Sequence, residues 1–188
     1  MSRGAKKPAK SKPPPHKRLT YLTDVADIYV EIGDSGPRTE AIVMASYVEN
    51  NLVLAINSRL RLLTDGEQVL LYDSDSAALR DFSSKIDIGF ALNLYDDNVR
   101  TDLHRIRKIR NKFAHVLEVR TYEHRSISKY CDELAGADLI DLPRGQTTPR
   151  TRRQRYVDLA SHFIARFSHD SVHSHHPPAS LNRIGHDY

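Results

Sequence analysis

The sequence predicts an all-α fold, and three observations carry that prediction. Apolar residues recur at three- and four-residue spacing in successive stretches, as a helix with one buried side requires. No stretch alternates apolar and polar residues with the two-residue period of a half-buried strand. The breaks between stretches hold helix punctuation: Gly33, the turn Asp34-Ser35-Gly36-Pro37, Asp96-Asp97 and Gly136. At 188 residues, one domain with a sizeable core is expected. An apolar share of 39% and a mean hydropathy of −0.53 imply that part of the chain stays outside that core.

The elements follow in order. Residues 1–18 are rich in Lys, Pro and Ser, with Pro13-Pro14-Pro15, and read as a disordered basic arm. A first helix is expected over residues 20–32, stopped by Gly33. A long helix follows over 38–62, with Ile42, Ala45, Val48, Leu52, Ala55, Ile56 and Leu60 at helical spacing. Residues 64–76 read as a loop in which Val69-Leu70-Leu71-Tyr72 forms a short helical turn docked on the core. The next helix, 77–93, gathers Leu79, Phe82, Ile86, Gly89, Phe90 and Asn93 on one side. Asp96-Asp97 offers an N-cap for a helix over 97–117. A helix over 121–135 ends at Gly136, and 141–151 is a loop of Pro, Arg, Gly and Thr. A last helix, 152–168, carries Tyr156, Leu159, Phe163, Ile164 and Phe167. Residues 169–188 are polar and His-rich and read as a disordered tail, which leaves 19–168 as the helical domain.

Charge is uneven along the chain. The formal net charge is +4, yet residues 1–18 alone hold Arg3, Lys6, Lys7, Lys10, Lys12, Lys17 and Arg18 and no acid. The remainder is therefore net negative, and the pI of 9.2 belongs to the arm. Lys6, Lys7, Lys10, Lys12, Lys17 and Arg18 are candidates for nucleic-acid binding through counterion release, although a merely solubilising end has the same composition. Arg144, Arg150, Arg152, Arg153 and Arg155 form a second basic cluster, for which a solvated loop is the simpler account. The single cysteine, Cys131, excludes an intrachain disulfide and reads as a small half-buried hydrophobe. No apolar run approaches the roughly 20 residues of a membrane span, and the charged N-terminus lacks an apolar signal core. No membrane partner is expected, and a cytoplasmic location follows by elimination. There is no Gly-rich phosphate loop, zinc-ligand spacing or nucleophile motif, so no cofactor or structural metal is expected. His173-Ser174-His175-His176 is the one metal-attracting run, and adventitious binding suffices for it.

Residues 104–115, His-Arg-Ile-Arg-Lys-Ile-Arg-Asn-Lys-Phe-Ala-His, carry most of the functional signal. At 100° per residue, Val99, Leu103, Ile106, Ile109, Phe113, Val116 and Leu117 fall on one apolar side. His104, Arg107, Lys108, Asn111 and His115 share another, which makes Arg107 and Lys108 further nucleic-acid candidates. Arg110 breaks the pattern by landing inside the apolar stripe, and Glu49 does the same on its own helix. A charge on a core-facing position costs several kcal/mol unless it is paired. A Glu49–Arg110 ion pair is the economical expectation. Two readings of it stand: a pair that fixes helix register, or one wall of a polar cleft. In the cleft, Arg110 would grip a phosphate and His115 would act as general acid or base, beside Asn111 and Glu49.

Arg110-Asn111-Lys112-Phe113-Ala114-His115 resembles the Arg-x4-His signature of the HEPN superfamily of small helical domains. A longer stretch, Phe82-Ser83-Ser84-Lys85-Ile86 through Phe90-Ala91-Leu92-Asn93-Leu94 and then Asp102 to His115, is similar to the mannitol operon repressor family. The similarity extends loosely over 38–168 and includes Ala45-Ser46-Tyr47-Val48-Glu49. The resemblance implies a compact HEPN-like helical bundle and a homodimer. It implies a regulator of transcription acting without catalysis through a protein or nucleic-acid partner, although no helix-turn-helix is visible. The superfamily also implies an alternative, a metal-independent endoribonuclease that uses Arg110 and His115 on single-stranded RNA across a dimer cleft. A third expectation is a purely structural interaction module. The basic arm and the His-rich tail are departures from the family pattern.

Overall fold

A computed structural model describes residues 25–140 and 149–173. Among them there is no strand. The helices are α1 (Val25–Ile32), α2 (Pro37–Arg59), α3 (Asp65–Gln68), α4 (Phe82–Ala91), α5 (Asp97–His115), α6 (Ser128–Asp132) and α7 (Arg152–His173). A π-helical turn, Val69–Asp73, follows α3, and a 3-10 turn, Ala135–Leu139, follows α6. The all-α expectation holds.

α2 is the central helix because it is apolar on several sides at once. Ala41, Met44, Ala45, Val48, Leu52, Val53, Ala55 and Ile56 are all buried, and α1, α4, α5 and α7 pack around it. α5 runs antiparallel to it: Arg38 meets the far end of α5, while Glu49 meets Arg110. The core is completed by Ile86, Leu103, Ile106, Ile109 and Phe113, with Tyr156, Ile164 and Phe167 from α7. Phe113 meets Tyr122 edge-on at 5.1 Å between ring centroids, and Tyr122 lies 5.4 Å from Tyr156.

Several boundaries behave as the sequence requires. Gly33 ends α1 in a left-handed conformation at φ +50°, which costs glycine nothing. Pro37 opens α2 at the first helical position, where its missing N–H is not needed. The Asp96 side chain accepts from the Val99 N–H at 2.9 Å and caps α5. The expected turn at residues 69–72 is present, held on α2 by the Tyr72 hydroxyl, which donates to Asn57 at 2.7 Å.

Other boundaries differ, and tertiary contacts explain them. The helix expected over 77–93 begins only at Phe82, because the Leu79 N–H is taken by the Leu71 carbonyl of the π turn at 2.9 Å. The helix expected over 97–117 stops at His115, where Arg38 captures the carbonyls beyond it. Leu117, assigned to the apolar stripe, is consequently 79% exposed. The helix expected over 121–135 shrinks to Ser128–Asp132. His124 Nδ1 accepts from the Ser126 N–H at 3.3 Å, a local bond that competes with helix formation. Gly136 is not a stop but a point of close approach, since a Cβ there would lie 2.9 Å from Leu159 Cδ1 and 3.1 Å from Asp102 Oδ2. α7 continues through residues 169–173, expected to be disordered, with an Arg166–Asp170 pair at 3.2 Å along it.

Candidate functional site

The expected Glu49–Arg110 pair forms, at 3.3 Å between Oε2 and Nη2. It is not sealed. The two side chains are 18% and 28% exposed, so the pair lines the edge of the fold instead of a dry core. It is also not a simple pair. Lys85 on α4 places its ammonium 2.5 Å from Glu49 Oε1 and is only 12% exposed. The Arg110 guanidinium lies 5.8 Å from the centroid of the Phe82 ring. One carboxylate thus holds two cations from two helices, and Arg110 Nε remains buried without an acceptor.

The remaining members of the predicted cleft do not join this cluster. Arg110 and His115 are five residues apart on α5, which is about 140° around the helix and about 7.5 Å along it. His115 is exposed, Asn111 is half-buried, and neither side chain has a hydrogen-bond partner among the described residues. Arg38 occupies the end of the motif helix. Its guanidinium donates to the carbonyls of Phe113, Val116 (3.1 Å), Leu117 (3.1 Å) and Val119 (2.9 Å). That satisfies acceptors a helix end leaves open and places a cation at the negative pole of α5.

On another side of α5 a cleft of about 380 Å³ opens against α6. Its lining includes His104, Arg105, Arg107 and Lys108 of α5, with Tyr130 and Glu133 opposite. Arg105 is committed to Asp102 at 2.9 Å and to Glu133 at 3.5 Å. His104 reaches Asp87 at 3.4 Å. Lys108 Nζ sits 5.4 Å from the Tyr130 ring centroid. Arg107 and Lys108 have no carboxylate partner among the described residues, and Arg107 Nε is buried without an acceptor. A larger concavity, about 670 Å³, lies between the start of α5, the 3-10 turn and α7, walled by Leu139, Leu159, His162 and Phe163. The carboxylate on its floor, Asp102, already accepts from the Ala135 and Gly136 N–H groups at 3.2 and 2.7 Å as well as from Arg105.

The described members of the second basic cluster, Arg150, Arg152, Arg153 and Arg155, do not form a solvated loop. Arg150 pairs with Asp158 at 2.7 Å, and Arg152 makes two 2.8 Å contacts to Asp132 and a further one to Glu123. Arg153 binds the buried Glu40 at 3.0 Å (Nε to Oε1) and 2.5 Å (Nη2 to Oε2). Arg155 binds Asp138 and the carbonyls of Cys131, Asp132 and Leu134. Apart from Asp158, eight positions from Arg150, the acids lie 17 to 113 positions from their arginines, so no local charge pattern announces them. Cys131 is fully rather than half-buried, and burial pushes its thiol up to about 12, which makes it inert at neutral pH.

Lys6, Lys7, Lys10, Lys12, Lys17, Arg18, Arg144, His175 and His176 lie outside the described residues. Among the described residues, no group of three or more His, Cys, Asp or Glu side chains could hold a metal ion, and no helix is long and apolar enough to cross a membrane. No family model, no curated protein and no solved structure matches the chain. Lys85, Phe82, Arg38 and Tyr130 were not singled out as site residues from the sequence. Only Lys85 left a trace, as the lone cation on the apolar-rich helix α4.

Proposed function

We propose that this chain is a non-catalytic regulatory domain. It acts in transcriptional regulation by binding a protein or nucleic-acid partner, in the manner its resemblance to mannitol operon repressors implies. One observation carries the non-catalytic part: the Arg110 guanidinium is committed to Glu49, beside Lys85 and Phe82. Metal-independent RNA cleavage needs a proton-transferring imidazole and a charge-stabilising cation converging on one phosphate. Arg110 is instead neutralised at the α2–α4–α5 junction, while His115 stands alone at the end of α5. The resemblance adds pairing of two copies.

The test is incubation of the purified full chain with single-stranded RNA in the presence of a chelator. No cleavage above a mock preparation is expected, for wild type and for His115→Ala alike. Cleavage by wild type that disappears in His115→Ala would overturn the reading in favour of a HEPN-type endoribonuclease.

A further inference from the structure

We propose that the cleft between α5 and α6 binds one nucleotide of a single-stranded nucleic acid, with Arg107 and Lys108 on the phosphate and Tyr130 against the base. The inference rests on the reading of this domain as a binding module and names its partner. Three of the six Lys and Arg side chains along α5 are consumed by acids of the fold: Arg100 by Asp87, Arg105 by Asp102 and Arg110 by Glu49. Arg107 and Lys108 are adjacent, line the same cleft and have no such partner. Glu133, the carboxylate in that lining, is taken up by Arg105 at 3.5 Å and Lys129 at 3.7 Å. The cleft therefore presents an uncompensated positive field.

The second observation is Arg107 Nε, shielded from water and without an acceptor. A buried donor left unmet is costly, and an incoming oxyanion relieves that cost. A guanidinium matches a phosphate better than any other anion receptor side chain, because its donors form a planar fork. The third is Tyr130, half-buried, with Lys108 Nζ 5.4 Å from its ring centroid. An aromatic face beside paired cations is the arrangement that holds single strands: backbone on charge, base on ring. The cleft volume of about 380 Å³ suits one splayed nucleotide. A duplex does not fit, because its bases are stacked inward and α6 walls off this side of α5 from a groove.

The experiment is fluorescence anisotropy of the full chain with a labelled mixed-sequence single-stranded RNA of about 12 nucleotides, titrated at several salt concentrations. Arg107→Ala/Lys108→Ala should weaken binding at least tenfold and lower the salt slope by about 0.7, the value for one phosphate no longer neutralised on a single strand. Tyr130→Leu should weaken binding at least fivefold with the salt slope unchanged, since it removes stacking and no charge. Arg59→Ala/Arg125→Ala removes the same charge from exposed sites elsewhere and should stay within twofold of wild type. Besides unchanged affinity in the cleft variants, four results overturn the proposal: no binding by wild type, equal loss in the control pair, equal affinity for the matching duplex, or adenosine monophosphate binding as tightly as the oligomer. Intact RNA with unchanged affinity in the cleft variants refutes the cleft alone. Cleaved RNA refutes the non-catalytic reading.

Discussion

Replacing Glu49 by glutamine removes the carboxylate that holds both Lys85 and Arg110 at the junction of three helices. The neutral side chain keeps the shape and leaves Lys85 and Arg110, 2.5 and 3.3 Å from the former carboxylate oxygens, facing each other without compensation. The magnitude follows from exposure. Stranding a charge in a dry interior costs roughly 3–5 kcal/mol, and losing an exposed pair costs roughly 0–1 kcal/mol. With Lys85, Glu49 and Arg110 12%, 18% and 28% exposed, water reaches the cluster but does not dissolve it. About 2 kcal/mol is expected between those limits. In a domain of this size that lowers the melting temperature by about 4–8 °C. Far-UV circular dichroism melts at low and at high salt provide the assay, and high salt should recover part of the loss by screening the two cations. The double variant Glu49→Gln/Lys85→Met should cost less than the sum of the single changes, because it removes one of the stranded charges. A Glu49→Gln melt within about 1 °C of wild type, or strict additivity in the double variant, would show that the cluster contributes nothing to the fold.

Two further outcomes are expected. Arg38→Met should release the carbonyls after Phe113, destabilise the protein by about 2 kcal/mol and raise amide exchange over residues 113–120 while leaving the first turn of α5 protected; mass-spectrometric hydrogen exchange with unchanged protection at that end of α5 would refute the cap. In alkali, burial holds the Tyr72 hydroxyl up to about 12 and those of Tyr95, Tyr122 and Tyr156 higher still, whereas an unfolded tyrosine ionises near 10. The native state therefore keeps protons that the unfolded state releases, and the stability these tyrosines contribute should be constant below about pH 10 and be lost as pH rises above it. These tyrosines should ionise, by absorbance near 295 nm, only together with loss of helical signal; all nine titrating near pH 10 with the helix signal intact would refute it.

The part of the site that was legible in sequence was legible through contradiction. Arg110 and Glu49 each sit on a core-facing position of an otherwise periodic helix, so each demands a partner, and opposite charges supply one another. Periodicity fixes a direction around a helix axis, however, and not a depth. It therefore could not say that the pair would sit at the edge with water access. Nor could it supply Lys85, whose contact with Glu49 spans 36 positions and depends on how α4 lies across α2. Helix ends were misplaced where a side chain from elsewhere competes for the terminal carbonyls. Arg38 ends α5 in this way, and Arg155 does the same to α6. A side-chain cap that arrives from 24 or 81 positions away leaves no local mark, unlike the Asp96 cap, which acts three residues on and was read correctly.

Those capping arginines also decide how positive charge in this chain should be counted. A basic cluster is ordinarily taken as a surface for anions, and Arg150, Arg152, Arg153 and Arg155 look like one. Each is instead a structural fork, spending its donors on acids and carbonyls of the fold, from the buried Glu40 to the half-exposed Asp132. Such sites are specific for guanidinium geometry, since one ammonium cannot reach four carbonyls spread over residues 113–119 as Arg38 does. Where the fold recruits arginine this heavily, the informative cations are the ones it leaves unspent in a concavity. On α5 they are Arg107 and Lys108, one turn from the Arg110–His115 motif. The functional surface is accordingly expected on the α6 side of α5 rather than at Arg110, whose charge the fold has already used.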